Sequence, residues 1–141
     1  MTLEVLVSAV NQQIRDLIER MHLESDAVII NQTDHFAYEE YKYQDNIIRG
    51  YNFAEKGVGL SRNNALLRAK GDIVLFSDED IIYDAGYADK VLKEFEKHPE
   101  ADMVLFNIRV GESRATYYTE KFHRVHIWNA GRYPTSPLLY V

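Results

Sequence analysis

Three consecutive acids, Asp78, Glu79 and Asp80, close the stretch GDIVLFSDED that runs from Gly71 to Asp80. The apolar run before them, Ile73 to Phe76, is too short for a self-standing helix and suits a strand buried on both faces. Side chains alternate along extended backbone, so Asp78 and Asp80 project to one side and Glu79 to the other if the strand geometry continues that far. Two carboxylates converging at a strand's carboxyl end form a seat for a hard divalent cation, which takes oxygen ligands and keeps positions for water and phosphate. Open α/β sheets bind their ligands at that end. A solvated acidic turn fits the same residues and stays open as an alternative.

The elements that must position these acids read in order along the chain. Leu3 to Val10 is a valine-rich first strand, ended by Asn11 and Gln12. Ile14, Leu17, Ile18 and Met21 then fall at i, i+3, i+4 and i+7, the apolar stripe of a helix. Ala27 to Ile30 is a second buried strand, stopped by Asn31, Gln32, Thr33 and Asp34, and it completes a β-α-β unit with parallel strands and a right-handed crossover. His35 to Asp45 has no sustained period and reads as irregular with a short helix. Ile47 and Ile48 suggest a short third strand running into a loop. Gly57 and Gly59 punctuate the entry to a helix over about Leu60 to Lys70, with Leu60, Leu67 and Ala69 seating it on the sheet and Gly71 as a left-handed stop. Beyond the acidic strand, Asp84 is a candidate N-cap for a helix striped by Tyr87, Ala88, Val91, Leu92 and Phe95, and Met103 to Ile108 reads as another buried strand.

This order argues for an α/β protein, a three-layer α/β/α sandwich with a mainly parallel sheet. A length of 141 residues is one domain's worth, with residues 1–110 as its α/β core and 111–141 as a distinct region of strand and loop. The chain has no cysteine, so a metal must be held by oxygen or imidazole. A formal net charge of −6 disfavours a general nucleic-acid binder, because Lys and Arg supply most of that affinity. No apolar run reaches bilayer length, and the N-terminus lacks a secretory pattern. The expectation is a soluble, cytoplasmic protein, at most peripheral to the inner face of the membrane.

The surroundings prune the chemistries open to an acidic strand end. A phosphate-loop NTPase needs a glycine-rich loop ending in Gly-Lys-Ser or Gly-Lys-Thr, and Gly57-Val58-Gly59-Leu60-Ser61-Arg62 does not supply it. A metal-dependent phosphohydrolase with Asp78 as nucleophile is the runner-up, since such a motif normally ends the first strand of its domain and here that strand ends in Asn11. A serine hydrolase lacks its nucleophile elbow.

The stretch GVGLSRNNALLRAKGDIVLFSDED, from Gly57 to Asp80, resembles the core signature of family 2 glycosyltransferases with the GT-A, nucleotide-diphospho-sugar transferase-like fold. The resemblance extends through the N-terminal β-α-β and covers roughly residues 3 to 110. It implies transfer of a sugar from a UDP-, GDP- or dTDP-linked donor to a hydroxyl of a glycan or lipid acceptor, with Mg²⁺ or Mn²⁺ as cofactor. Carried over by position, Asp80 is the metal ligand, Asp78 faces the ribose or the metal shell, and Glu79 is the variable middle position. Ala9, Asn11 and Gln32 match the base-binding ends of the first two strands, and Arg62 and Asn63 match the family's Arg-Asn. Arg62 contacts the nucleotide or else orients its helix through a salt bridge. The family's aspartate pair after strand two is replaced by Asn31 and Gln32.

The resemblance also implies a catalytic base in a second half of the domain, beyond Val141, so this portion binds the donor and is by itself inactive. Glu112 and Glu120 sit in no recognisable motif and read as solvated, and His123 and His126 read as surface histidines rather than a metal pair. A catalytically silent nucleotide-binding module with the same fold is the alternative. Exposed Phe122, Ile127, Trp128 and Leu138 lead to an expectation of self-association.

Overall fold

The computed structural model describes residues 1–108, 124 and 139–140, and for the last two only the backbone. Six strands form one sheet: β1 (Leu3–Val10), β2 (Asp26–Gln32), β3 (Ala37–Tyr43), β4 (Asn46–Phe53), β5 (Ile73–Asp78) and β6 (Leu139–Tyr140). Three helices lie among them, α1 (Ile14–Met21), α2 (Val58–Arg68) and α3 (Tyr87–Lys97). The strand order is β3-β4-β2-β1-β5-β6. β4, β2, β1 and β5 run parallel, while β3 and β6 add antiparallel edges. The expected α/β sandwich is therefore the observed architecture.

Strand alternation divides the core into two layers. Val5, Val7, Ala27, Ile29, Ile73 and Leu75 face the side covered by α1 and α3, where Leu17, Ile18, Met21, Tyr87, Val91 and Phe95 meet them. Leu6, Val28, Ile30, Val74 and Phe76 face the other side, onto Ala65 of α2. The α1 stripe is buried as the spacing predicts, each fully buried aliphatic contributing about 1.5–3 kcal/mol. α1 ends at His22 in the left-handed region, and the next backbone amide, of Leu23, returns to the Ile18 carbonyl.

Five expectations are corrected. His35 to Asp45 holds an edge strand: Tyr41 and Tyr43 turn toward the α1 layer and Tyr38 toward Tyr51 on the opposite face. Aromatics on both faces erase the period that marks a half-buried strand, and a turn at Gln44 and Asp45 joins β3 to the full-length β4. α2 is not seated by its leucines, since Leu60 is 45% and Leu67 73% exposed, and the buried positions are Ser61 and Ala65. Gly71 is not a left-handed stop, because α2 already ends at Ala69 in extended conformation. What Gly71 provides is close approach: a Cβ there would lie 2.8 Å from Glu4 Cβ and 2.9 Å from Glu4 N. Met103 to Ile108 is not a strand, having only an isolated bridge at Leu105 and an exposed Met103; the neighbour of β5 is β6. α3 likewise begins after Gly86 rather than Asp84.

At the amino end of the sheet a buried ion pair ties the strands to the exit from α2. Arg49 Nη2 donates to Glu4 Oε1 at 2.6 Å and to the Arg68 carbonyl at 2.7 Å. The other Glu4 oxygen accepts from the amides of Lys70 and Gly71. One carboxylate thus fixes β1, β4 and the exit from α2. Among the described residues no helix is long and apolar enough to cross a membrane. Glu112, Glu120, Phe122, His123, His126, Ile127, Trp128 and Leu138 lie outside the described residues.

Candidate functional site

The opposite, carboxyl end of the sheet opens into a cavity of about 300 Å³. Its walls are Ser8, Ala9 and Val10 from β1, Gln32 from β2, Val58 and Ser61 from α2, and Asp78, Glu79 and Asp80. Parallel strands place their carboxyl ends together, and α2 starts on the same side because it leaves β4 there. The acids therefore meet the first turn of a helix. That turn contains no acidic residue, and its positive end points favourably for an anion.

The strand stops at Asp78, so the alternation expected of the three acids does not carry through to Asp80, which lies in the following turn. Asp78 is on the α2 face and accepts from Arg62 Nη2 at 3.3 Å, with both side chains partly exposed. Glu79 Oε2 accepts the Val10 amide at 2.8 Å and binds the ends of β5 and β1 together. Asp80 is exposed at the mouth. It also borders a second cavity of about 490 Å³ on the α3 side, walled by Leu75, Ile81, Tyr83, Tyr87 and Phe106 among others. Tyr83 and Tyr87 stack with ring centroids 4.2 Å apart, and burial pushes the Tyr83 phenol far above its ordinary pKa.

Amides organise the rim. Gln32 donates from Nε2 to the Gly57 carbonyl at 2.9 Å, and Oε1 accepts the Gly57 amide at 3.1 Å. Gly57 has φ 118°, a region that L side chains rarely adopt, and this lets both of its backbone groups face one side chain. Asn31 is buried, accepts the Gln12 amide, and donates to the Gln12 carbonyl and to Asn52 Oδ1. The two amides that stand where the resemblance places an aspartate pair therefore hold the β1-α1 turn and the start of α2. Ser61 Oγ donates to Ser8 Oγ at 3.1 Å across the cavity floor.

Of the sequence-predicted residues, Ala9, Gln32, Asp78 and Asp80 line one cavity, and Arg62 reaches it through Asp78. Asn11 is exposed, has φ 49° and closes β1 onto β2 by donating its amide to the Gln32 carbonyl. Asn63 is exposed on α2 away from the cavity walls. Sequence reading missed Ser8, Ser61 and Glu79. Alternation along β1 puts Ser8 on the face of Leu6, a signal that was available; Glu79's bond to Val10 depends on sheet order and was not.

Among the described residues no three His, Asp or Glu side chains gather as a metal cluster. Asp78 and Asp80 both line the cavity, and carboxylate oxygens are the donor type that a hard divalent cation takes, with phosphate and water completing its shell. The family model described as glycosyl transferase family 2 matches residues 3–138. No curated protein and no solved structure matches the chain.

Proposed function

Because the chain belongs to glycosyl transferase family 2, we propose that its cavity binds the nucleotide diphosphate part of a sugar donor in a metal-dependent way. The observation that carries this reading is the meeting of Asp78, Glu79 and Asp80 with the first turn of α2 in one opening. A diphosphate brought there gains from the helix end but is repelled by the acids. A divalent cation reverses the sign of that repulsion. Mg²⁺ or Mn²⁺ held by Asp80 and Asp78 would supply Lewis-acid stabilisation to the departing diphosphate.

The chain's own residues do the rest. Arg62 holds Asp78 in place and adds positive charge beside the phosphates. Gln32, through Gly57, fixes where α2 begins and hence where its first amides point. Ala9 and Asn11 border the side on which a base would lie, with UDP, GDP and dTDP as candidates. The sugar then goes to a hydroxyl of a glycan or lipid acceptor. The phosphohydrolase reading centred on Asp78 has no family match behind it.

Calorimetry with UDP, GDP and dTDP, each with and without Mn²⁺ or Mg²⁺, tests this. Binding to at least one should require the metal, and Asp80→Asn should weaken it by about tenfold or more, the loss of one charge-assisted contact. No metal-dependent affinity for any of the three would overturn the proposal.

A further inference from the structure

The hairpin of β3 and β4 carries a row of aromatic rings that the donor site does not use. On the α2 face Phe36 packs on Phe53 with centroids 5.5 Å apart, Phe53 stacks against Tyr51 at 6.0 Å, and Tyr51 meets Tyr38 at 4.7 Å. The inner pair, Tyr51 and Phe53, is half-buried, with the Arg68 guanidinium 5.0 Å from each ring centroid. The outer pair is open to solvent: Phe36 is 67% and Tyr38 48% exposed. Burial would hide such rings if core packing were their only use, since exposed aromatic clusters cost solubility and mark interaction surfaces.

Position and charge identify the occupant. Phe53 pairs in register with Gln32, which lines the donor cavity, so the row is the lateral continuation of that site along the sheet. Phe36 and Tyr38 are two residues apart at the edge, a spacing of about 7 Å along extended backbone, comparable to one ring of an extended sugar chain. The polar groups beside them include two carboxylates: Glu40 Oε2 accepts from the Tyr38 hydroxyl at 3.4 Å, and Asp34 is exposed, with Oδ1 2.7 Å from His35 Nδ1. Carboxylates at the rim repel a phosphate-bearing ligand and accept hydroxyl protons, whereas Arg68, the cation over the inner rings, is drawn inward and donates to the Asn64 carbonyl, and Arg49 is buried against Glu4. Flat apolar faces flanked by hydroxyl acceptors fit the C–H face and hydroxyl edge of a neutral pyranose.

We propose that the Phe36–Tyr38 edge of the β3-β4 hairpin is a docking surface for a neutral glycan chain, held on the flank of the donor cavity. The inference rests on the sugar-transfer reading for its biological sense, while its binding is measurable without nucleotide or metal. Affinity electrophoresis of the protein through gels containing maltohexaose, cellohexaose or the hexamer of N-acetylglucosamine supplies the test, with Phe36→Ala and Tyr38→Ala as variants. At least one glycan should retard the wild type, and each substitution should weaken that binding by about tenfold, the value of one stacked ring. Thermal unfolding of the variants should match the wild type, because both side chains are exposed. Retardation by none of the three glycans, or retardation that both variants retain, would overturn the inference. So would a loss of UDP–Mn²⁺ affinity in Phe36→Ala with glycan binding unchanged, which assigns the ring to the base. Glycan binding in a protein that ignores every nucleotide would sink the donor proposal and leave this one standing.

Discussion

Each end of the sheet carries an acid–arginine pair that links a strand to α2 or its exit, and the two pairs behave differently because of burial. At the amino end, Glu4 and Arg49 retain 4% and 9% side-chain exposure, meet at 2.6 Å, and have further partners in Arg68, Lys70 and Gly71. At the carboxyl end, Asp78 and Arg62 retain 37% and 25% and meet at 3.3 Å. A buried charge with every oxygen engaged can do nothing except hold the fold. A half-exposed pair gains little stability and stays able to exchange partners with a ligand. Residue type does not separate these roles; surroundings do.

Breaking the amino-end pair should have the largest effect. Glu4→Ala leaves Arg49 buried without its counter-charge, and the expected loss is about 3–5 kcal/mol in urea unfolding. Gly71→Ala strikes the same junction through sterics, since its Cβ would press on Glu4 backbone and side chain; overpacking of that kind costs about 1–3 kcal/mol, and the unfolding midpoint should fall accordingly. At the carboxyl end Arg62→Ala should shift stability by no more than about 1 kcal/mol, yet lower metal-dependent nucleotide affinity in calorimetry. A loss of stability there as large as that of Glu4→Ala would erase the distinction between the ends.

The smallest effect sharpens the comparison within the amino end. Asp72 is exposed, and its pKa is lowered chiefly by the Thr2 backbone amide and next by the Thr2 hydroxyl. A carboxylate whose folded pKa lies below its unfolded value stabilises above the unfolded pKa, and that stabilisation disappears as pH falls through the folded one. Asp72→Asn should therefore lower stability slightly above about pH 4 and converge with the wild type as pH falls through the folded pKa, which flattens the acid limb of the profile.

The parts of this molecule legible in its sequence were those with one buried face or two. β1, α1, β2, β5 and α3 declared themselves by apolar runs and stripes, and the acids by their place after such a run. β3 was hidden because Tyr38, Tyr41 and Tyr43 serve two faces of an edge strand. α2 was misread at its leucines because the sheet admits only Ser61 and Ala65, small residues that allow a close approach. In the site, Ala9, Gln32, Asp78 and Asp80 line one cavity, Asp80 from the turn after β5 rather than from the strand as alternation suggested. The bonds from Gln32 to Gly57 and from Glu79 to Val10 were not legible, since each joins strand ends or loops whose adjacency exists only after the sheet has formed.

The central position of β1 also sets an order of assembly. Its ladder to β2 closes early, with Glu4 opposite Asp26, but its other edge has no partner until Ile73 comes to lie beside Leu3. Thr2 and Asp72, which bracket that junction, are 70 residues apart. On the ribosome β1 is made well before β5 and is thus completed late, and until then it presents a bare apolar edge. Pairings of such long separation fold slowly, and exposed edges of this kind invite association between nascent chains. The acids of the site, carried on the late strand, come into place only when that edge is sealed.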